Sequence, residues 1–218
     1  MERHIKISGD GSSTVFVPGI GEYYHSLHGA IPESLHVFIK EGYRLIKKNE
    51  FKVFEMGFGT GLNTLLTWIE CKRTGKKVFY ETIDLYPLDI QEITNLNYTE
   101  LLPGTAEFFL KIHESPWGKK ISLDNYFDLL KKKIDLLDHK SENEFDLVYF
   151  DAFSPKVQPG LWKEEVLKKI FELLTPGGIM TTYCVKGDVR RTLLHLGFKV
   201  EKIPGPPGKM EMLRAVKD

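Results

Sequence analysis

Short apolar runs that break into glycine or an acid, each followed by apolar residues at helical spacing, recur along this chain. Val53-Phe54-Glu55-Met56 runs into alternating glycines at 57, 59 and 61. Leu62, Leu65, Leu66 and Ile69 then fall at i, i+3, i+4 and i+7, so the pattern predicts strand, tight loop, helix. Lys77 to Ile83 reads as a second strand that closes on Asp84. Phe145 to Phe150 is a near-continuous apolar run, the pattern of a central parallel strand covered on both faces, and it closes on Asp151. Strand, helix, strand within about 30 residues makes a right-handed parallel unit whose ligand crevice lies at the carboxyl ends of the strands.

The remaining segments fill in an α/β fold with a mostly parallel sheet and an antiparallel strand pair at the C-terminus. Residues 1–21 read as a short strand pair or extended arm around Val15-Phe16-Val17, punctuated by Gly9, Gly11, Pro18, Gly19 and Gly21. Helices are predicted over 34–48, with Gly42 a weak spot, and over 87–102, 105–114, 163–174 and 190–196. Lys120 to Asp128 reads as a third strand followed by a polar turn, and Lys131, Lys132 and Lys133 as the solvated face of a helix. Pro176-Gly177-Gly178 reads as the turn before a strand over 178–185, and 198–203 with 212–216 as the closing pair.

At 218 residues with 42% hydrophobic content, the chain fits one domain over 1–218, with 1–33 an N-terminal arm or strand pair packed on it. Thirty basic and thirty acidic residues leave it formally neutral, which argues against a strongly basic nucleic-acid binder and against a membrane-surface protein. The C-terminal stretch is locally basic: from Lys186 to Asp218 eight Lys/Arg face four acids. Two distant cysteines, Cys71 and Cys184, without ligand spacing argue for neither a disulfide scaffold nor a metal. The N-terminus carries no apolar signal core, and no run approaches the roughly 20 apolar residues of a membrane span, so a soluble, cytoplasmic protein is expected.

Glycine belongs in the 57–61 loop because a turn there needs backbone conformations closed to other residues, and because a missing Cβ lets a ligand approach the main chain. A dinucleotide fingerprint reads G-x-G-x-x-G. Here the third glycine comes one place early, at Gly61, and Leu62 stands where the fingerprint has Gly or Ala. The spacing E-x-G-x-G-x-G instead resembles the S-adenosyl-L-methionine (SAM) loop of Rossmann-like class I methyltransferases. In that family the acid closing the strand, here Glu55, lies near the ligand's cationic amino-acid end. Asp84, one helix later, stands where an acid can accept hydrogen bonds from both ribose hydroxyls; the alternative is a solvated acid at a strand end. In methyltransferases the third strand ends with an acid or amide that reads adenine, and Asp124, Asn125 and Asp128 compete for that role.

Asp151 ends the fourth strand, in a turn reading Asp151-Ala152-Phe153-Ser154-Pro155. A carboxylate there can orient an amine and accept its proton before methyl transfer. Phe153 can stack on a flat substrate, and Pro155 stiffens the turn. The alternative makes Asp151 a cap and Phe153 core. The polar and aromatic segment from Glu22 to Ser34, with Tyr24 and His25, is a second candidate substrate region or a plain surface loop.

Four further segments sharpen the resemblance. Asp84-Leu85-Tyr86-Pro87-Leu88, Phe150 through Pro155, Lys209-Met210-Glu211-Met212-Leu213 and Tyr24-His25-Ser26 are, together with the loop through Asn63, similar to the methyltransferase domain of the MnmC family. That family completes 5-methylaminomethyl-2-thiouridine at the wobble position of certain tRNAs. The resemblance implies that Gly57, Gly59, Gly61 and Asp84 hold SAM, that Asp151 faces the aminomethyl nitrogen, and that Lys209 lies near cofactor or tRNA. The bifunctional family members carry a large flavin-dependent oxidase domain for which these 218 residues leave no room. The expectation is a stand-alone methyltransferase form, with a separate enzyme supplying the aminomethyl intermediate. The rivals are an aminopropyltransferase of the spermidine-synthase type, another SAM-dependent small-molecule methyltransferase, and a SAM-fold protein that binds RNA without catalysis.

Overall fold

A computed structural model describes residues 2–218. The chain opens with β1 (His4–Ile7), β2 (Ser13–Val17) and β3 (Glu22–Tyr23), then α1 (Ala30–Ser34), which widens without a break into a π-helical turn over Leu35–Lys40. There follow β4 (Glu50–Met56), α2 (Leu62–Thr74), β5 (Lys77–Ile83), α3 (Ile90–Thr94), α4 (Tyr98–Leu101) and α5 (Ala106–Glu114). The second half holds β6 (Ile121–Ser122), β7 (Phe127–Lys132), β8 (Phe145–Phe150), α6 (Glu164–Leu173), β9 (Leu174–Thr182), α7 (Gly187–His195), β10 (Phe198–Pro204) and β11 (Glu211–Lys217). Among the described residues no helix is long and apolar enough to cross a membrane, and no three His, Cys, Asp or Glu are grouped to hold a metal ion.

Eight strands form one sheet in the order β10-β11-β9-β8-β4-β5-β7-β6. The five from β9 to β7 run parallel, and β10, β11 and β6 join antiparallel at the edges. The predicted α/β fold, mostly parallel with an antiparallel C-terminal pair, is the one observed. All six residues of β8 are buried, because alternate side chains enter two cores. Val53, Leu147 and Tyr149 pack with Leu65 and Leu66 of α2 and Phe108 of α5 on one face. Phe54, Val148 and Phe150 pack with Val166 and Ile170 of α6 and Leu193 of α7 on the other.

Several elements differ from the sequence reading, each for a tertiary reason. The helix predicted over 34–48 begins at Ala30 and stops before Gly42, where a Cβ would lie 2.5 Å from the Phe38 carbonyl oxygen, so the chain turns too tightly for any other residue. The helix predicted over 87–102 divides into α3 and α4, because Asn97 between them is engaged by the N-terminal sheet. The third parallel strand is 127–132 rather than 120–128, and only Ile121–Ser122 of the earlier segment pairs, antiparallel, with it. Lys131 is therefore no solvated helix residue. The strand alternation buries it at 1% exposure, its Nζ donating to the His113 carbonyl at 2.8 Å and lying 5.2 and 4.9 Å from the Phe58 and Trp117 ring centres. Pro176-Gly177-Gly178 is a bulge within β9: the register with β8 jumps from Phe145↔Leu174 to Leu147↔Ile179.

The arm expected over 1–33 is a three-stranded antiparallel sheet, β1-β2-β3, bound to the body through Asn97. Asn97 Oδ1 accepts from both the backbone N–H and the hydroxyl of Ser13 at 2.8 Å, and its Nδ2 donates to the Gly11 carbonyl at 2.8 Å. Tyr98 adds a hydroxyl bond to the Ser13 carbonyl at 2.8 Å. This anchorage carries Tyr24 and His25 to the sheet's carboxyl edge. Replacing Asn97 by Ala leaves the Ser13 donors unmatched, a cost of about 1–3 kcal/mol. The expected outcome is a melting temperature lowered by several degrees, with amides of β2 exchanging faster by hydrogen–deuterium exchange while β4 and β8 stay protected.

Candidate active site

Between β4 and β8 the strand order reverses: the chain runs outward through β5 and β7, then returns to β8 and leaves on the other side through β9. An open crevice forms at the carboxyl ends of the strands at such a point. Here it is a cavity of about 760 Å³, walled by the loop after β4, by Asp84 after β5 and by Asp151 after β8.

Gly57 has φ +93° and donates its N–H to the Ile83 carbonyl at 3.1 Å, and a Cβ on it would lie 3.1 Å from the Asp151 carbonyl oxygen. Glycine is thus required both by conformation and by close approach. Asp84 braces the loop: its Oδ2 accepts the Gly59 N–H at 2.9 Å and its Oδ1 the Tyr86 N–H at 2.8 Å. Each oxygen keeps acceptor capacity toward the cavity. Burial raises the Asp84 pKa, against the lowering effect of those two N–H bonds.

Asp151 Oδ2 accepts from Asn63 Nδ2, in the first turn of α2, at 2.8 Å. Burial pushes its pKa up to about 7; the negative charge of Glu33 acts in the same direction, and the Asn63 bond and the Lys209 charge oppose it. The turn after Asp151 is pinned on three sides. Tyr183 Oη donates to the Ala152 carbonyl at 2.8 Å, Trp162 Nε1 to the Phe153 carbonyl at 2.7 Å, and both the backbone N–H and the hydroxyl of Ser154 to Glu22. Phe153 is thereby held edge-on to Tyr24, ring centres 5.2 Å apart at 75°.

On the N-terminal side, His25 Nε2 meets the Thr60 hydroxyl at 2.8 Å. Burial pushes its pKa down to about 4, so the imidazole is neutral at pH 7. Glu33 Oε2 accepts the Ser26 N–H at 2.7 Å, and its Oε1 accepts from Lys209 Nζ at 2.8 Å. The Lys209 ammonium also sits 3.9 Å from the Tyr183 ring centre.

Nine of the twelve residues singled out from sequence line this cavity: Tyr24, His25, Gly57, Gly59, Asn63, Asp84, Asp151, Phe153 and Lys209. Three do not. Gly61, the left-handed residue before α2, turns toward α5, where a Cβ would lie 2.8 Å from His113 Nε2; its constraint is packing. Glu55 is fully enclosed beneath α2, and burial raises its pKa to about 8, so it carries a proton at pH 7 and presents no carboxylate to the cavity. Asp128 is the second residue of β7, at the opposite end from the crevice, ion-paired with Lys120 at 2.8 Å. Asp124, at that same end, accepts from Trp68 Nε1 at 2.7 Å, and Asn125 lies beside it in the turn before β7. Beyond the carboxyl end of β7 the wall is Ile134, Asp135 and Leu136. Asp135, Glu33 and Tyr183 were not singled out as site residues; Asp135 becomes legible once Phe127-Asp128-Leu129-Leu130-Lys131-Lys132 is read as an alternating strand.

Main chain without Cβ at Gly57 and Gly59, a carboxylate with spare acceptors beside it and a largely apolar wall suit a ligand that carries a ribose diol. The Asp151 and Glu33 carboxyls across the cavity suit a cationic group. A family model described as S-adenosyl-L-methionine-dependent methyltransferase matches residues 70–218. A tRNA 5-methylaminomethyl-2-thiouridine biosynthesis bifunctional protein MnmC from Azoarcus sp. (strain BH72) is 28% identical over 222 residues, which cover 92% of this chain and 34% of that protein. Its namesake from Leptospira interrogans serogroup Icterohaemorrhagiae serovar copenhageni is 32% identical over 212 residues, 88% of this chain and 32% of that protein. The chain thus spans about a third of the length of the curated relatives it matches. Among solved structures, MNMC2 from Aquifex aeolicus superposes with a TM-score of 0.81 at 27% identity, over 98% of this chain and 69% of that one. Spermidine synthase from Thermotoga maritima, at TM-score 0.54 and 13% identity over 100% of this chain and 79% of that one, shares the fold alone. With S-adenosyl-L-methionine as its cofactor, the chain belongs to the S-adenosyl-L-methionine-dependent methyltransferase family.

Proposed function

We propose that this chain methylates a primary amine, the 5-aminomethyl group of a wobble 2-thiouridine in tRNA, to give 5-methylaminomethyl-2-thiouridine. The observation that carries the reading is Asp151, a carboxyl at the end of β8 beside the glycine loop, oriented by Asn63 and half-ionised near neutral pH. The names of the relatives supply the nucleoside and the tRNA. Gly57 and Gly59 leave the main chain open to the cofactor, and Asp84 accepts from its ribose hydroxyls. Asp135 is the better candidate than Asp128 for the adenine end, since it lines the same wall.

When bound, S-adenosyl-L-methionine supplies a methyl carbon on a sulfonium, whose C–S bond breaks toward sulfur as nitrogen attacks. The remaining work falls to the side chains. An alkylammonium has no free lone pair, so Asp151 takes its proton, directly or through one water, and holds the nitrogen in line. Phe153 and Tyr24 offer ring surface to a uracil at the mouth. Lys209, in the turn between β10 and β11, supplies positive charge for a phosphate of the same substrate. A tRNA substrate makes the reaction cytoplasmic. The relatives are bifunctional by name, and in this reading the activity that delivers the free amine resides in a separate enzyme.

Incubation with radiolabelled S-adenosyl-L-methionine should label tRNA bearing 5-aminomethyl-2-thiouridine, and leave unmodified tRNA and small polyamines unlabelled. Label in none of the RNAs sinks the reading, and products from decarboxylated cofactor and putrescine would favour aminopropyl transfer. Asp151→Asn is expected to keep cofactor affinity within about threefold while losing about 10²–10⁴-fold in kcat. Because the folded pKa of Asp151 is raised to about 7, its acceptor form dominates above that pH. The rate should therefore fall about tenfold per unit as pH drops below 7, a limb absent from Asp151→Asn. Asp84→Ala removes the ribose acceptors and should weaken cofactor binding about 10–100-fold by calorimetry.

A further inference from the structure

The segment that follows Asp84 is gripped from a distant part of the chain. Arg3, the residue before β1, has a side chain only 9% exposed, and its guanidinium reaches the stretch between β5 and α3. Nη2 donates to the Tyr86 carbonyl, and Nη1 donates to Glu92 Oε2 at 3.0 Å and to the Pro87 carbonyl at 3.4 Å. Glu92 Oε2 also accepts the Asp89 N–H at 2.8 Å, and Asp89 Oδ1 accepts the Glu92 N–H at 2.8 Å, the capping box that starts α3. Burying a charge is costly unless it is paired and hydrogen-bonded, and every partner Arg3 has found lies between Tyr86 and Glu92. Burial of β1 itself does little to hold this end of the arm. Three of its four residues are exposed, and an open cleft of about 530 Å³, lined by Ile5, Lys6, Gln91 and Asn95 among others, separates it from α3. Arg3 and Glu92 are bonded across that cleft.

Tyr86 is where this grip meets the site. Its N–H donates to Asp84 Oδ1 at 2.8 Å while its carbonyl accepts from Arg3, so the carboxylate and the guanidinium hold one residue from its two ends. The other carboxylate oxygen, Oδ2, accepts the Gly59 N–H at 2.9 Å. We infer that Arg3 is a positioning residue: through Tyr86 it sets the Asp84 carboxylate for the ribose hydroxyls, and it thereby couples cofactor binding to the docking of the N-terminal sheet. This rests on the proposed role of Asp84 toward the ribose. The Arg3 charge acts in the same sense, favouring the ionised form of Asp84 against the burial that raises its pKa. The same sheet leads into Tyr24, whose ring lies 3.3 Å from where a Gly59 Cβ would stand. Coupling of this kind is reciprocal, so a cofactor that favours the gripped Tyr86 favours the docked sheet by the same factor.

Two variants separate this role from general support of the fold. Arg3→Met keeps an extended side chain without donors, and Arg3→Lys keeps the charge without the fork that reaches Tyr86 and Glu92 together. By calorimetry Arg3→Met should bind S-adenosyl-L-methionine about tenfold more weakly than the parent, and Arg3→Lys about threefold more weakly. A double-mutant cycle gives the readout that a merely structural arginine would not move. In the Asp84→Ala background, Arg3→Met should weaken cofactor binding by no more than about twofold. A second readout needs no change at Asp84: S-adenosyl-L-methionine should slow hydrogen–deuterium exchange of the β1 amides in the parent and leave it unchanged in Arg3→Met. Parent-like affinity in Arg3→Met overturns the inference, and so does an equal loss with and without Asp84. If Asp84→Ala itself binds the cofactor like the parent, the ribose assignment fails. The exchange comparison then decides the coupling alone, and β1 amides that the cofactor does not slow in the parent overturn it.

Discussion

The site depends on one packing constraint, the adjacency of β4 and β8 in parallel register. Met56 stands opposite Phe150, so both strands end at the same level and the two loops leave in contact. Gly57 then lies so close to the Asp151 carbonyl that a Cβ would sit 3.1 Å from it. That approach joins the glycine loop and the Asp151 loop at one edge, with Asn63 bridging them at the side-chain level. The register holds because β8 is buried on both faces, and slipping it by one residue would exchange the two cores that Val148 and Tyr149 enter.

Acid chemistry in a formally neutral chain is obtained here by burial. Asp84, Asp151 and Glu55 all have raised pKa values, and burial is the largest cause for each. What separates them is their donors. Asp84 has two backbone N–H groups, Asp151 has one amide and the charge of Lys209, and Glu55 has only hydroxyl and amide neighbours in a fully enclosed setting. Three carboxyls at neighbouring strand ends are thereby graded from a hydrogen-bond acceptor through a titrating base to a neutral acid. Each raised value means that ionisation is opposed by the fold, so these groups subtract stability as pH rises toward neutrality. The close-packed strands around them supply the offsetting stability.

The rim of the cavity is assembled from distant parts of the chain. Glu22 of the N-terminal sheet accepts from Ser154 after β8, and Glu33 of α1 holds Lys209 from the turn between β10 and β11. The small sheet and the C-terminal hairpin therefore act as walls, each tied to the body by a charged or charge-assisted bond. Lys209 is neither free nor merely surface charge: a carboxylate and the Tyr183 ring fix its position.

Local chemistry made much of this legible in the sequence. The β4 loop and β5 were readable because glycine spacing and continuous apolar runs report backbone and burial directly, and Asp84 and Asp151 were found because an acid ending a parallel strand must reach the crevice. What sequence could not decide was which residues face which way. Lys131 resembled helix surface until the sheet alternation carried it under Phe58 and Trp117, and that shift of the third strand put Asp135 rather than Asp128 on the cavity wall. Gly61 and Glu55 share a motif with Gly57 yet turn away from the cavity, because side-chain direction depends on the packing of α2 and α5. Spacing along the chain determined the loop, the strand ends and the family; the tertiary structure alone decided burial, and with it which carboxyls keep a proton.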